Sequence, residues 1–254
     1  MSKFLSPLPP ILFEDEWLIA FDKPSGLLTV PDRWNKARAC LTALIQQHLA
    51  PNIFNVHRLD AEISGVLLCA KTKPTLTALV RQFEARRGQK RFLALVYGVL
   101  PKPDMEIRRE LESDPGQPGR MRVAAAYRRG ACRTRAHAIE VFRAHSLLEA
   151  WSNTDKTHQV RVHLAHVGCP VVADAFYGNG RGLYLSEIKS DYKFKIHAPE
   201  RPLIGRVALH AESLTFTHPV TQTKITIAAP WPKDFSIAIK YLKRFAPTGG
   251  NMVT

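Results

Sequence analysis

Apolar residues in this chain fall in short runs whose internal spacing changes from segment to segment. "WLIAFDK" (Trp17–Lys23) is a compact apolar run that reads as a strand, broken by Pro24 and Gly26 in "PSGLLTVPD". "CLTALIQQHL" puts Leu41, Leu44, Ile45 and His48 at helical spacing. "GVLLCAK" is apolar without interruption, the pattern of a strand covered on both faces. "KPTLTALVRQFEARR" then offers Pro74 for a first helical turn and a stripe of Leu76, Leu79, Val80 and Phe83, with Gly88 as the predicted stop. In "KRFLALVYGVL" alternation sets Phe92, Ala94 and Val96 against Leu93, Leu95 and Tyr97, as a strand requires. "AHAIEVF", "SLLEAWS", "ALHAESLTFTHP" and "KITIAAP" read as further strands. "KTHQVRVHLAHVG" reads as an amphipathic helix stopped by Gly168 and Pro170. Strands and helices mix without regular alternation, which predicts an α+β fold. With no internal repeat, linker or boundary in view, a single domain over residues 1–254 is expected.

Charge narrows the picture. The 254 residues carry a formal net charge of +14, a surplus that suits a polyanionic partner, nucleic acid first. A basic, turn-rich segment from Arg108 to Arg135, with "DPGQPGRMR" and "YRRGACRTR", adds to it. No apolar run approaches the roughly 20 residues of a membrane span, and no basic amphipathic surface helix is present. "MSKFLSPLPPILFEDEW" reads as neither a signal nor a transit peptide, so a cytoplasmic protein is expected. Cys40, Cys69, Cys132 and Cys169 form no CxxC pair and are expected to be reduced and structural.

Two stretches carry candidate chemistry. In "NVHRLDAEISG", His57, Arg58 and Asp60 stand at the mouth of the buried run that follows, with Ser64 and Gly65 offering a turn. A carboxylate at a strand end can act as nucleophile or base on a sugar if a cation keeps it ionised. The competing reading is a turn closed by an ion pair. In "DKTHQVRVHLAH", Thr157, His158 and Arg161 would share neighbouring helix faces. His158, His163 and His166 are spaced by five and three, which does not gather them on one face, so no metal site is expected. Alone, the segment would pass for a solvated basic helix.

Taken together, "DKPSGLLTVP", "VHRLDAEISGVLLCAK", "KRFLALVYG", "KTHQVRVHLAHVGCPVVAD", "FYG" and "LHAESLTFTHP" resemble the RluA-type RNA pseudouridine synthases, in that family's order and over roughly Ile11 to Phe235. The resemblance is to the single-domain form, lacking a small RNA-binding domain upstream. It implies a mainly antiparallel mixed sheet flanked by helices, with a central active-site cleft. It also implies a cofactor-free, metal-free isomerisation of uridine in ribosomal or transfer RNA stem-loops, by a monomer. Asp60 matches the essential aspartate, acting at the sugar C1′ or at C2′, and Arg161 its basic partner. Arg58 matches an arginine that fills the space left by a flipped nucleotide, and Phe92 the ring that stacks on uracil. His57, Lys156 and His158 belong to the same motifs and are expected at the substrate.

Two positions depart from the pattern. Phe92 stands where tyrosine is usual and has no hydroxyl to move a proton. "TDKTHQ" replaces "TGRTHQ", putting Asp155 for glycine and Lys156 for an arginine fork. The segment "GRGLYLSEIKSDYKFKIHAPERPL" occurs in some members and is a candidate substrate-contacting loop. Two other function classes compete: an RNA-binding relative with weak catalysis, and a glycoside hydrolase, which would need a second carboxylate such as Glu62 aimed at the same sugar.

Overall fold

Order along the chain follows the hydrophobic runs closely. In the computed structural model, which describes residues 8–32, 35, 37–125, 132–152, 154–194 and 198–248, the elements are β1 (Ile11–Glu14), β2 (Leu18–Lys23), α1 (Leu41–His48), β3 (Phe54–Asn55), β4 (Ser64–Ala70), α2 (Lys73–Glu84), β5 (Gln89–Tyr97), β6 (Asp104–Arg109), β7 (Leu111–Ser113), β8 (Met121–Val123), β9 (Cys132–Val141), β10 (His145–Ser152), α3 (Gln159–His166), α4 (Leu185–Ile188), β11 (Leu209–Thr217), β12 (Lys224–Ala228) and α5 (Lys233–Phe245). The "YRRGA" part of the basic segment and "KIH" of the later loop lie outside the described residues. This is a mixed α+β protein whose strand pairing is mainly antiparallel.

The chain divides into two compact units. The first comprises Met1–Arg91, Asn153–Asp155 and Ala211–Pro230; the second comprises Phe92–Ser152, Lys156–His210 and Trp231–Thr254. Strands β5 and β11 each begin in one unit and end in the other.

In the first unit β2 pairs antiparallel with β1 on one side and with β4 on the other, in register from Leu18↔Ala70 to Lys23↔Gly65. Every residue of β4 is buried, as its unbroken apolar run demands. Leu18, Ala20, Val66, Leu68, Leu214, Phe216 and Ile227 form a core on which α2 lays Leu79 and Phe83. Gly65 is required twice over. Its φ is +117°, and a Cβ there would stand 2.1 Å from the Ala211 carbonyl oxygen of β11. The predicted stop of α2 needs correction. The helix ends at Glu84, and Arg86 takes the left-handed turn at φ 58°. Gly88 serves packing instead, since a Cβ there would come 2.2 Å from the Phe83 ring.

In the second unit the strand order is β5-β10-β9-β6, with β10–β9 and β9–β6 antiparallel. The "DPGQPGR" turn joins β7 and β8 into a separate hairpin. Helix α5 buries Phe235, Ala238, Ile239 and Leu242, an i, i+3, i+4, i+7 stripe that sequence reasoning left unassigned. Helix α3 is the main surprise. It buries Gln159, Val160, Arg161, Val162, His163 and Leu164 in succession, so it is enclosed on nearly all sides. The expected amphipathic or solvated helix is therefore replaced by one that carries its polar groups inward.

Candidate active site

Asp60 opens the turn that leads into β4, with the Ile63 N–H donating to the Asp60 carbonyl at 3.2 Å. Its neighbours are held by the "KPSGLLT" segment. Thr29 Oγ1 donates to the Leu59 carbonyl at 2.8 Å and accepts the Leu59 N–H at 3.2 Å, so one hydroxyl secures both backbone groups of the preceding residue. On the other side the buried Lys23 ammonium donates to the carbonyls of Pro24 (3.0 Å), Leu27 (2.7 Å) and Ala61 (3.2 Å). The Gly26 N–H also reaches Ala61 O at 2.7 Å, and Ser25 Oγ reaches Glu62 O at 2.6 Å. Residues 59, 61 and 62 are thus fixed by backbone bonding, while the Asp60 side chain is left half-buried and Arg58 exposed.

His57 is 6% exposed and points inward, where Nε2 accepts the Leu68 N–H of β4 at 3.2 Å. This placement revises the expectation that it lies at the substrate surface. Burial, reinforced by the charge of Lys90, pushes its pKa down to about 3, so it is a neutral acceptor at physiological pH. Lys90 is itself buried, with Nζ 2.7 Å from Asp155 Oδ1 and 5.8 Å from the Phe83 ring centroid. Burial lowers the Lys90 pKa, and Asp155 opposes that shift. Asp155, conspicuous in the sequence as an acid where glycine is usual, is therefore the counter-ion of an enclosed lysine.

The second unit holds the other candidates. Phe92 is 7% exposed on β5. His158 precedes α3 with a left-handed φ of 56°, so it and Thr157 do not share the helical face that spacing suggested. Its Nδ1 is 2.7 Å from the Tyr177 hydroxyl. Lys156 is exposed, and its N–H donates to Gln159 Oε1 at 3.4 Å. The same Gln159 amide spreads its Nε2 over Arg133 O, Thr134 Oγ1 and Ser152 Oγ at 2.9, 3.2 and 2.9 Å. His163 lies between Thr134 Oγ1 (2.8 Å) and Arg109 O (3.1 Å), and His166 Nε2 accepts from Arg109 Nε at 3.3 Å. Each helix histidine has its own protein partner.

Arg161 is 2% exposed, and its guanidinium meets Asp174 edge-on, Nε to Oδ2 at 2.7 Å and Nη2 to Oδ1 at 2.9 Å. The Tyr177 and Phe176 rings lie 5.3 and 5.8 Å from its Cζ. Asp174 Oδ1 also accepts the N–H groups of Phe176 (3.0 Å) and Tyr177 (3.2 Å), so one carboxylate orients both the arginine and the "FYG" turn. Sequence reasoning missed Asp174 and Gln159 as individual residues, although both stand inside the quoted "THQVRVHLAHVGCPVVAD".

The basic segment is less open to phosphate than its charge suggests. Arg108 and Arg133 face Glu106, Arg122 faces Glu112, Arg120 faces Asp114 and Arg135 faces Asp104. Exposed pairs of this kind are worth about 0–1 kcal/mol, so a phosphate can compete for them.

A sequence model described as RNA pseudouridylate synthase matches residues 17–166, a span from β2 through α3 that includes the Asp60 turn. The chain belongs to the RNA pseudouridylate synthase family. Among its relatives are ribosomal large subunit pseudouridine synthases D from Xylella fastidiosa (36% identical, covering 88% of this chain and 66% of the relative) and Xanthomonas campestris pv. campestris (35%, covering 92% and 69%). This family member spans about two thirds of the length of those relatives, and 61% of one from Neisseria meningitidis serogroup B. Human RNA pseudouridylate synthase domain containing 1 shares the fold, with a TM-score of 0.67 at 23% identity over 91% of this chain and 86% of that one. Human RNA pseudouridylate synthase domain containing 4 aligns with a TM-score of 0.66 at 20% identity, covering 92% of each chain.

Proposed function

We propose that this protein isomerises specific uridines in structured RNA to pseudouridine, acting as one catalytic domain without cofactor. The observation that carries the reading is the Asp60 turn: a half-buried carboxylate whose flanking backbone is locked by Thr29 and Lys23 at the head of a fully buried strand. In this reading the uridine is turned out of its stack, and Arg58 takes the space it leaves. Asp60 acts at the ribose, at C1′ or on the C2′ proton, as the N1–C1′ bond breaks. The uracil turns, C5 joins C1′, and the C5 proton is released as N1 gains one. In this reading Arg161 is the cation that keeps Asp60 ionised, and Asp174 fixes the Arg161 guanidinium through Nε and Nη2. Phe92 supplies a stacking surface and no proton acceptor, so the C5 proton leaves to another base. His57 orients the loop from inside; Lys156 and His158 meet the RNA.

The ribosomal substrates named for the relatives make ribosomal RNA the first target to test, with transfer RNA second. A cytoplasmic monomer fits this role. The test is chemical mapping of pseudouridine in bulk unmodified RNA treated with wild type or with Asp60→Asn. Reverse-transcription stops that appear with wild type only are expected, with turnover in the variant down on the order of a thousandfold or more. Stops that persist in the variant would remove Asp60 from the reaction. No stops with either protein, in both RNA classes and with binding intact, would favour the RNA-binding relative.

A further inference from the structure

The loop between α4 and β11 displays an aromatic ring, Phe194, where a stable fold has no use for it. Its base is ordered: buried Leu183 donates its N–H to the carbonyl of buried Ile204 at 3.0 Å and accepts the Leu203 N–H at 2.7 Å. A second fastening lies further out, where Glu200 accepts the Ser186 N–H at 2.9 Å and Ser186 Oγ at 2.6 Å. Beyond it, "DYKF" holds a half-buried Tyr192 and an exposed Phe194. Phe194 is 70% exposed, against 52% for Val99, the next most exposed large hydrophobic among the described residues. Tyr192 and Phe194 meet at 5.0 Å and 85°, a T-shaped pair that keeps both rings from swinging freely. The Tyr192 N–H donates to Lys189 O at 3.2 Å, which ties the pair back to α4. Between them Lys193 is exposed.

We propose that Tyr192, Lys193 and Phe194 form a stacking platform for an unpaired base of the RNA substrate, outside the catalytic machinery. The proposal rests on the reading of the chain as an RNA enzyme. Aromatic faces interleaved with basic residues are the pattern that binds single-stranded nucleic acid, each ring taking a base and each lysine a phosphate. A protein partner fits less well, because lysine is depleted from the cores of protein interfaces. The net charge of +14 complements the same polyanion. An unpaired base of the RNA would be held here by its π-face, without sequence reading.

Fluorescence anisotropy with the full chain tests this, using one labelled RNA hairpin with a single-stranded extension and the same hairpin trimmed blunt. Phe194→Ala is expected to raise Kd for the extended hairpin about tenfold, in line with the loss of one stacked base, and to leave the blunt hairpin unchanged. Phe194→Trp retains tight binding, and Phe194→Leu behaves as the alanine variant. Lys193→Ala lowers the slope of log K against log salt by about one. Turnover by Phe194→Ala falls through KM with kcat kept. Equal affinity of wild type and Phe194→Ala for the extended RNA would overturn the proposal, as would full rescue by leucine or a lowered unfolding midpoint in the alanine variant. Binding that depends on Phe194 in a wild type that makes no pseudouridine would sink the enzymatic reading alone.

Discussion

The Asp60 turn and the Arg161 helix hold their charged groups by opposite means. Around Asp60 the protein grips backbone: a hydroxyl on Leu59, an ammonium and an N–H on Ala61, a serine on Glu62. The carboxylate itself is half-buried. Around Arg161 the protein grips the charge, with a buried carboxylate in its plane and two aromatic rings nearby. In the proposed mechanism the group that must meet substrate is aimed through its neighbours. A group that sets the field can be fixed directly, because a buried charge with its fork satisfied has one low-energy position.

That contrast can be broken at several points. The largest effect belongs to Asp174→Ala, which strands a buried guanidinium and unfastens the "FYG" turn. A loss of about 3–5 kcal/mol is expected in chemical denaturation, and a near-neutral result would mean that Arg161 does not depend on this partner. Next comes Thr29→Val, nearly the same shape without the hydroxyl. It leaves the Leu59 N–H and carbonyl unsatisfied, so a cost of about 1–3 kcal/mol is expected, together with a fall in kcat as Asp60 loses its aim. Unchanged kcat in a destabilised Thr29→Val protein would separate fold from aim.

A pH series sharpens the inner side of the Asp60 loop. The unfolded chain protonates His57 near 6.5, and the folded chain does so only at about 3. Between those values the unfolded state holds the extra proton, so stability falls as pH drops through that window, by up to about 1.4 kcal/mol per pH unit for this group. His163, pushed down to about 4 by burial, adds a slope of the same sign. Urea midpoints measured from neutral to acid pH should fall less steeply in His57→Gln than in wild type; identical slopes would show that His57 is not the titrating group. The smallest effect is expected from Phe92→Tyr, with turnover within a few-fold of wild type or faster, read in the same mapping assay. A folded but inactive Phe92→Tyr protein would mean that the pocket is shaped around phenylalanine.

Most strands, helix α2 and the polar turn at Asp60 were legible in the sequence, because period and punctuation are local properties. Pro74 in the first turn of α2 and the unbroken burial of β4 needed no tertiary information. Helix α5 was equally legible in its stripe, and was passed over. The order of the motifs pointed to the family before any coordinate was known. Other features depend on which segments meet. Gly65 is required by the approach of the Ala211 carbonyl, 146 positions later in number, and Gly88 by the Phe83 ring. Asp155 was anomalous until Lys90 was found against it, and Asp174 was one acid among many until it lay along Arg161. Hydrophobic spacing determines where a strand or helix forms, since burial needs only a face. Which carboxylate answers which buried cation is decided by distances of about 3 Å between residues far apart in the chain, and those exist only once the chain has folded.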